Sequence, residues 1–296
     1  GYAAVTKFRE MWMVVVVTAD PDNPQRTTRV PIEWAREQIR LRGRDDPWVQ
    51  VNILGLYPPV SSEQLIGINA IIQAQARDMP VLHYSGDARI WGVDPAYSDE
   101  SGADEWALAR RQGLLCRPIL YGHGMNGPTL ANTIGGAILE ARRNHEPPDK
   151  VFVDKGGVGT SCYDHLRLLG FDDIVVGIDF GQLANDPARY YDLRTEMWVK
   201  MADWVKHSEA CLPEDPMLKK ELMSPRHGPT KKGNHTVTKL ESKKDMKTRG
   251  ARSPNRADAL ACTFAFPVVR ESAEERLRRQ DSGADKCRTE YDIHAG

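Results

Sequence analysis

Two short apolar segments of the sequence each end at an aspartate, and they constrain the fold more than any other feature. Arg89 to Asp94 reads RIWGVD, and Val151 to Asp154 reads VFVD. Short apolar runs of this kind are typical of buried strands in a sheet. Parallel neighbouring strands bring their carboxyl ends to one edge of a sheet, where ligand sites gather. We therefore expect Asp94 and Asp154 to lie close together.

The elements around these segments predict an α/β architecture. The pattern indicates three strands in a meander, followed by helix, strand, helix, strand and helix. The predicted strands are 89–94, 105–110, 114–121, 151–154 and 173–177, and the predicted helices are 128–143, 161–169 and 187–207. This order describes a mixed five-stranded sheet flanked by helices on both faces, which matches the ribonuclease H-like architecture.

A third acid is expected to join the first two. A final helix is predicted from Ser253 and Pro254, with serine as its cap and proline at its first position, and Asp258 lies within its first two turns. Three clustered carboxylates repel one another unless cations lie between them, and hard oxygen ligands favour Mg²⁺ or Mn²⁺. Two such ions, roughly 4 Å apart, can drive hydrolysis of a phosphodiester. Asp104 is a candidate further ligand. For any one of these acids alone, a cap or turn role is the simpler interpretation.

The charge distribution adds a candidate surface for DNA. Between Met217 and Arg256 there are 12 lysines and arginines against three acids, although the whole chain has a net charge of −1. Such side chains contact phosphates without reading sequence. The residues nearest Asp258 are the candidate DNA-binding set: Lys243, Lys244, Lys247, Arg249, Arg252 and Arg256. A solvated basic loop is the alternative interpretation of this run. Residues 234–240 are predicted to form a strand or hairpin arm beside it.

The first part of the chain has a different character. Residues 12–17 (WMVVVV) predict a buried strand, 32–42 a helix ended by Gly43, and 48–56 a short strand before the rigid segment Tyr57-Pro58-Pro59. A strand this apolar, so close to the first residue, suggests that the chain begins inside a domain. We predict a first unit over 1–60, a second over 61–270 and a charged tail over 271–296.

Composition excludes several other classes of protein. The five cysteines are far apart and form no C-x-x-C pair, which argues against a zinc ribbon or a disulfide scaffold. The longest apolar run, Met11 to Val17, is too short to cross a bilayer, so we predict no membrane partner. The segment from Gly122 to Thr129 has the glycine and threonine spacing of a phosphate-binding loop. Pro128 stands where that loop needs lysine, so ATP hydrolysis is not expected.

Five segments in order resemble the large terminase subunits of tailed bacteriophages. SPNRADALA, from Ser253, is similar to the S-P-D-R-A-D-A-L-A motif near the end of these proteins. The other four are GVDPAYSDESGADEWALARRQG from Gly92, VFVDKGGVGTSCYDHLRLLGF from Val151, RYYDLRTEMWVKMADWV from Arg189 and LESKKDMKTRG from Leu240. Upstream, the stretch from Val30 to Pro58 is similar to the segment between the family's ATPase and nuclease domains.

The resemblance implies a ribonuclease H-like nuclease that cuts concatemeric double-stranded viral DNA during packaging. It places Asp94, Asp154 and Asp258 on the family's metal-binding acids and Asp104 on a further acid of the same hairpin. It also implies Mg²⁺ or Mn²⁺ as cofactor, with two ions. The implied location is the host cytoplasm, docked transiently on the procapsid. The implied partners are the portal protein and the small terminase subunit, with a ring in the full motor and a monomer for this chain alone. Lys155 has no role that the resemblance assigns.

Two other functions fit parts of the sequence. Another ribonuclease H-like nuclease, such as a junction resolvase or a transposase-like enzyme, would share the carboxylates but lack the RTEMW helix. A module that docks the motor on the portal ring would need no intact acids. For the nuclease, we expect Asp94→Ala, Asp154→Ala and Asp258→Ala each to abolish cleavage and leave the fold intact.

Overall fold

The structure is a computed structural model that describes residues 17–44, 46–56, 64–78, 80, 84–95, 105–157, 159–233, 235–270 and 272. It divides into two compact units, residues 1–67 and 68–296. Most of the predicted strand at 12–17, the prolines of 57–59 and Asp104 lie outside the described residues, as does most of the tail. No helix in the described part of the chain is long and apolar enough to cross a membrane.

The first unit combines turns over residues 17–31 with short helices. Helix α1 spans Ile32–Arg42, as predicted, and Gly43 ends it with a positive φ of 87°. The strand predicted at 48–56 is wrong. A helical turn, α2 (Pro47–Val49), continues there into a π-helical segment, Gln50–Leu54.

The sequence gives a local reason for this helical turn. The Asp46 carboxylate accepts hydrogen bonds from the backbone N–H groups of Trp48 and Val49, at 2.9 and 3.2 Å, and so caps the turn. Gly55 ends the segment in the left-handed region, with φ 67°. The apolar residues that suggested a strand instead form one side of a small core with Ala19 and Ala35.

The second unit is built on a mixed sheet. Its strands are β1 (Arg89–Asp94), β2 (Glu105–Gln112), β3 (Leu115–Cys116), β4 (Leu120–His123), β5 (Lys150–Asp154) and β6 (Val175–Ile178). The sheet order is β3-β2-β1-β5-β6, and β4 pairs with β2 next to β3. Strand β1 runs antiparallel to β2 and parallel to β5, and β5 runs parallel to β6. The predicted architecture is confirmed.

The third predicted strand is divided into two short ones. The sequence predicts a single strand over 114–121, whereas β3 and β4 are separated by Arg117, Pro118 and Ile119. Proline has no N–H with which to continue a ladder, so pairing with β2 stops and resumes after it. The two pieces together occupy one position of the predicted five-stranded sheet.

Helices cover both faces of this sheet. They are α3 (Ile68–Ala76), α4 (Gly127–Arg143), α5 (Gly159–Leu166), α6 (Leu193–His207), α7 (Pro216–Leu222), α8 (Lys243–Thr248) and α9 (Asn255–Cys262). On one face, α4 and α5 pack with the strands around a core that includes Trp91, Ile134 and Val153. On the other, α9 lies against β1 and β2 and contacts α6 and α7. A hairpin of β7 (His227–Lys232) and β8 (His235–Leu240) precedes α8.

Several predicted helix boundaries need correction. Helix α6 begins at Leu193 rather than at 187, because the Asp192 carboxylate caps it by accepting from the Thr195 N–H at 2.8 Å. The cap position of α9 is Pro254 and no side chain caps it, so the predicted Ser253 cap is wrong. The helices α3, α7 and α8 were not predicted; α7 and α8, with seven and six residues, are too short to show clear periodicity.

Candidate active site

Strand pairing brings two of the predicted acids to one edge of the sheet. Strands β1 and β5 are parallel neighbours, and Val93 is in register with Val153. Asp94 and Asp154, the next residue in each strand, therefore leave the sheet at the same edge. Both side chains are buried. The arrangement predicted from the two apolar segments is thus present.

A glycine in β1 allows the third acid to reach this edge. A Cβ added at Gly92 would lie 2.0 Å from the carbonyl oxygen of Ala259 and 2.8 Å from Cβ of Cys262. Only a residue without a side chain permits α9 to pack this closely on the strand. Asp258, in the first turn of α9, is consequently held over the sheet beside Asp94.

Asp258 is fully buried in a network of cationic and polar donors. Its Oδ1 accepts hydrogen bonds from Nε and Nη2 of Arg194, both at 3.2 Å, and from the indole Nε1 of Trp198 at 2.7 Å. Its Oδ2 is buried and accepts no hydrogen bond from the described residues. The ammonium of Lys243 lies 3.0 Å from that oxygen, as an ion pair. Oδ1 is therefore occupied by hydrogen bonds within the fold, whereas Oδ2 faces the Lys243 ammonium.

Lys243 bridges two of the acids. Its Nζ also lies 3.5 Å from Oδ2 of Asp94, and about a third of its side chain is exposed. Burial alone would lower the pKa of this amine, but Asp258 and Asp94 outweigh burial and raise it above its usual value. The lysine is thus a permanent positive charge within the acid cluster.

The three acids differ in how readily they ionise. Burial raises the pKa of Asp94 to about 7; Lys243 opposes this shift, while Asp258 and Asp154 add to it. Burial likewise raises the pKa of Asp154 to about 6 against the effect of Lys243. Burial would also raise the pKa of Asp258, but Arg194 and Lys243 hold it below its usual range. Asp94 and Asp154 are the acids that a further cation would stabilise most.

The segment after β5 turns sharply beside Asp154. The Asp154 Oδ1 accepts a hydrogen bond from the Gly156 N–H at 3.1 Å. Gly157 has a φ of 55°, and a Cβ added at Gly159 would lie 1.8 Å from the Asp154 carbonyl oxygen. These glycines let the chain fold back against the acid. Lys155 is exposed, with its ammonium 5.8 Å from the ring of Tyr163.

The donor chemistry at this edge fits a divalent metal ion. Carboxylate oxygens are the ligands that Mg²⁺ and Mn²⁺ prefer, and the Lys243 ammonium shows that the space between Asp94 and Asp258 accommodates a cation. With Lys243 in this position, no group of three or more Asp, Glu, His or Cys side chains in the described residues is close enough to hold a metal. A metal ion would therefore bind beside the Lys243 ammonium or displace it from between the two acids.

The six candidate DNA-binding residues fall into two groups. Three are engaged within the protein: Lys243 as above, Arg249 with Glu241 at 2.7 Å, and Arg256 with Glu105 and Asp215 at 2.7 and 2.8 Å. Arg256 is almost completely buried, which suits a tie between α9, β2 and α7 better than phosphate contact. The remaining three are exposed: Lys244, Lys247 and Arg252.

Sequence reasoning missed Arg194 as part of the site. The residue lies in the RTEMW segment, one position after Leu193 at the start of α6, and it is buried. Its Nη1 also donates to the carbonyl oxygen of Glu241 at 2.9 Å, which ties α6 to the segment before α8. No local pattern in the sequence marks Arg194 as buried or pairs it with Asp258, so this part of the site could not be predicted. Trp198, four residues later on the same helix, is fully buried.

The fold is similar to that of solved nuclease domains of phage large terminase subunits. Among solved structures, the nuclease domain of the large terminase subunit gp2 of bacterial virus Sf6 has a TM-score of 0.53 and 18% identity, covering 69% of this chain and 99% of that one. A mutant of that domain with manganese and beta-thujaplicinol has a TM-score of 0.54 at 18% identity, and one with calcium has 0.53 at 19%, with the same coverage. No family model matches the sequence. No curated protein matches it.

At this level of identity the likeness establishes the fold. The second unit of this chain has the fold of phage large terminase nuclease domains, so the resemblance noted in the sequence is confirmed for the fold.

Proposed function

We propose that the chain is a metal-dependent endonuclease, the nuclease part of a large terminase subunit, which cuts concatemeric double-stranded viral DNA during genome packaging. The observation that carries the proposal is that Asp94 and Asp154 leave the sheet at one edge, where Asp94 and Asp258 share the ammonium of Lys243. Carboxylates gathered in this way are unfavourable without positive charge between them.

The cofactor we propose is Mg²⁺ or Mn²⁺, as two ions held by Asp94, Asp154 and Oδ2 of Asp258, the oxygen that faces Lys243. Asp104 is a candidate additional ligand. When bound, such ions supply activation of the attacking water and charge stabilisation for the leaving 3′-oxygen. Solved structures of a mutant of the Sf6 nuclease domain with manganese and with calcium support a divalent ion as the cofactor of this fold.

The surrounding residues position these ligands. Arg194 and Trp198 fix one oxygen of Asp258, which leaves the other directed at Lys243. Lys243 offsets the repulsion among the acids, so that the cluster is stable before a metal binds. A preorganised ligand set of this kind avoids the free-energy cost of assembling the site during the reaction.

DNA would lie along the surface next to this edge. Lys244 and Lys247 on α8, and Arg252 before α9, are exposed and can contact phosphates without regard to sequence. We further propose that the portal protein and the small terminase subunit are partners. The chain would then act in the host cytoplasm, docked transiently on the procapsid.

The test is cleavage of supercoiled plasmid by the chain with Mn²⁺, Mg²⁺ or EDTA. We expect nicking and linearisation that require the metal and are lost in Asp94→Asn. Asp164→Asn is the matched control, because Asp164 is exposed on α5, whereas Asp94 is buried at the sheet edge. Metal-dependent cleavage that persists in Asp94→Asn would overturn the site assignment. Absence of cleavage by the folded wild type would favour a docking module on the portal ring.

A further inference from the structure

The β7–β8 hairpin has no part in the metal site, yet it carries a concentrated positive charge. Strand β8 pairs with β7 on one side and with residues 189–191 on the other, where the Tyr191 N–H donates to the Thr238 carbonyl oxygen at 2.9 Å. Residues 222–240 contain four lysines and arginines, two histidines and no aspartate or glutamate. Nothing within this segment balances its charge.

The register of the hairpin decides which lysines share a face. Lys232 pairs with His235, which lies four residues before Lys239 in β8. Because side chains alternate along a strand, Lys232 and Lys239 project from the same face, and Lys231 projects from the opposite one. Gly228 stands opposite Lys239, and no described atom lies within 4 Å of a Cβ built there. The face beside Lys239 is therefore open.

The two lysines that share this face also share an aromatic ring. The Nζ atom of Lys232 lies 5.0 Å from the ring centroid of Tyr191, and that of Lys239 lies 4.3 Å from it. The Lys232 ammonium also donates a hydrogen bond to the Tyr191 carbonyl oxygen. The face of an aromatic ring attracts cations, so Tyr191 holds the two ammonium groups within about 10 Å of each other.

The charges of Lys232 and Lys239 are not neutralised within the fold. Among the described residues, neither ammonium forms an ion pair with an acid; their contacts are the ring and the carbonyl of Tyr191. The acids of the adjoining segment are engaged elsewhere: Asp186 with Arg189, Asp192 with Thr195, and Glu196 with Lys200. Two like charges held close together repel, and an anion that contacts both is favoured.

The position of the pair in the chain places it near the acids. Lys239 is four residues before Lys243, which contacts two of the acids. The two Cα atoms are therefore at most about 14 Å apart, at ~3.6 Å per residue of extended chain. Along duplex DNA, whose rise is about 3.4 Å per base pair, that distance corresponds to about four base pairs.

We propose that Lys232 and Lys239, held by the ring of Tyr191, bind the phosphate backbone of duplex DNA within about four base pairs of the cut. The inference rests on the proposed function, which supplies the DNA, and adds a contact surface to that of Lys244 and Lys247. Each DNA strand carries one negative charge per about 3.4 Å of axis, so both ammonium groups can meet phosphates of one strand. Such contacts add affinity without reading sequence.

The experiment is filter binding of a linear DNA duplex to the whole chain in EDTA, over a range of salt concentrations. We expect Lys239→Gln to weaken binding on the order of fivefold at about 0.1 M salt and to reduce the slope of log affinity against log salt concentration by about 0.9. Lys239→Arg keeps the charge and should bind as the wild type does. Lys231→Gln is the matched control, because it removes the same charge from the opposite face; its affinity should stay within about twofold.

Binding in EDTA needs no metal chemistry, so this test and the cleavage test can fail independently. The inference is overturned if Lys239→Gln binds the duplex as the wild type does, or if Lys239→Arg loses as much affinity as Lys239→Gln. It is also overturned if Lys231→Gln is weakened equally, since only the general charge of the hairpin would then matter. Weaker binding of poly-glutamate by Lys239→Gln, with duplex binding unchanged, would assign the surface to an acidic protein instead.

Discussion

Replacing Asp258 with asparagine should destabilise the protein strongly, whereas the same change at Asp94 should not. Asp258 is fully buried and balances the charges of Arg194 and Lys243. Neutralising it leaves Arg194 buried without its partner. Removing one member of a buried ion pair typically costs about 3–5 kcal/mol, against a total stability of about 5–15 kcal/mol.

Asp94 occupies a different electrostatic position. Burial raises the pKa of its carboxyl to about 7, so its charged form is disfavoured in the fold. Asparagine in its place relieves repulsion with the other two acids, and Lys243 retains its shorter contact to Asp258. We therefore expect Asp94→Asn to change stability by less than about 1 kcal/mol, in either direction.

Thermal unfolding in EDTA, followed by circular dichroism, measures this contrast. For a domain of this size, 1 kcal/mol corresponds to about 2–4 °C in Tm, so Asp258→Asn should lower Tm by on the order of 10 °C. Asp94→Asn should melt within a few degrees of the wild type. The expectation that all three acid variants fold intact would then hold for Asp94 but not for Asp258. Equal Tm values for the two variants would refute the conclusion that Asp258 stabilises the core in addition to its proposed role in the metal site.

Three further predictions concern a glycine in β1, a buried glutamate and an exposed lysine. Gly92→Ala should lower the free energy of unfolding by about 1–3 kcal/mol and reduce cleavage, because its Cβ would collide with α9. Gly136→Ala, which has open space at its Cβ, is the control and should be neutral or stabilising in the same unfolding assay. Burial raises the pKa of Glu221 to about 8, so the wild type loses stability as the pH rises from about 4.5 to 8. The Tm of Glu221→Gln should therefore exceed that of the wild type at pH 8 but not at pH 4. In a filter-binding assay, Lys247→Gln should weaken duplex DNA binding and reduce the slope of log affinity against log salt concentration by about one. Arg256→Gln should mainly lower Tm, because Arg256 is paired within the fold.

The sheet could be predicted because its strands carry a strong local signal. Strands β1 and β5 are short, apolar and buried, and each ends at an acid, so their pairing and the position of Asp94 and Asp154 follow from general rules of topology. The segment at 48–56 has a similar apolar composition, but the capping carboxylate of Asp46 decides for a helix. Apolar composition alone does not separate these outcomes.

The interior of the site was beyond sequence reasoning. Arg194 and Asp258 are 64 residues apart, and no local pattern indicates that they share a hydrogen bond. Lys243 lies in a basic run and resembles Lys244 and Lys247 in every local respect, yet it alone of the three contacts two of the acids. Which lysine enters the cluster depends on the position of α8, and that is set by tertiary packing.

The most direct test of the proposed metal centre is a crystal structure of the chain soaked in Mn²⁺, with anomalous diffraction to locate the ions. We expect manganese bound to oxygens of Asp94, Asp154 and Asp258, with the Lys243 ammonium displaced or sharing the site. Manganese bound elsewhere, with Lys243 still bridging Asp94 and Asp258, would contradict it.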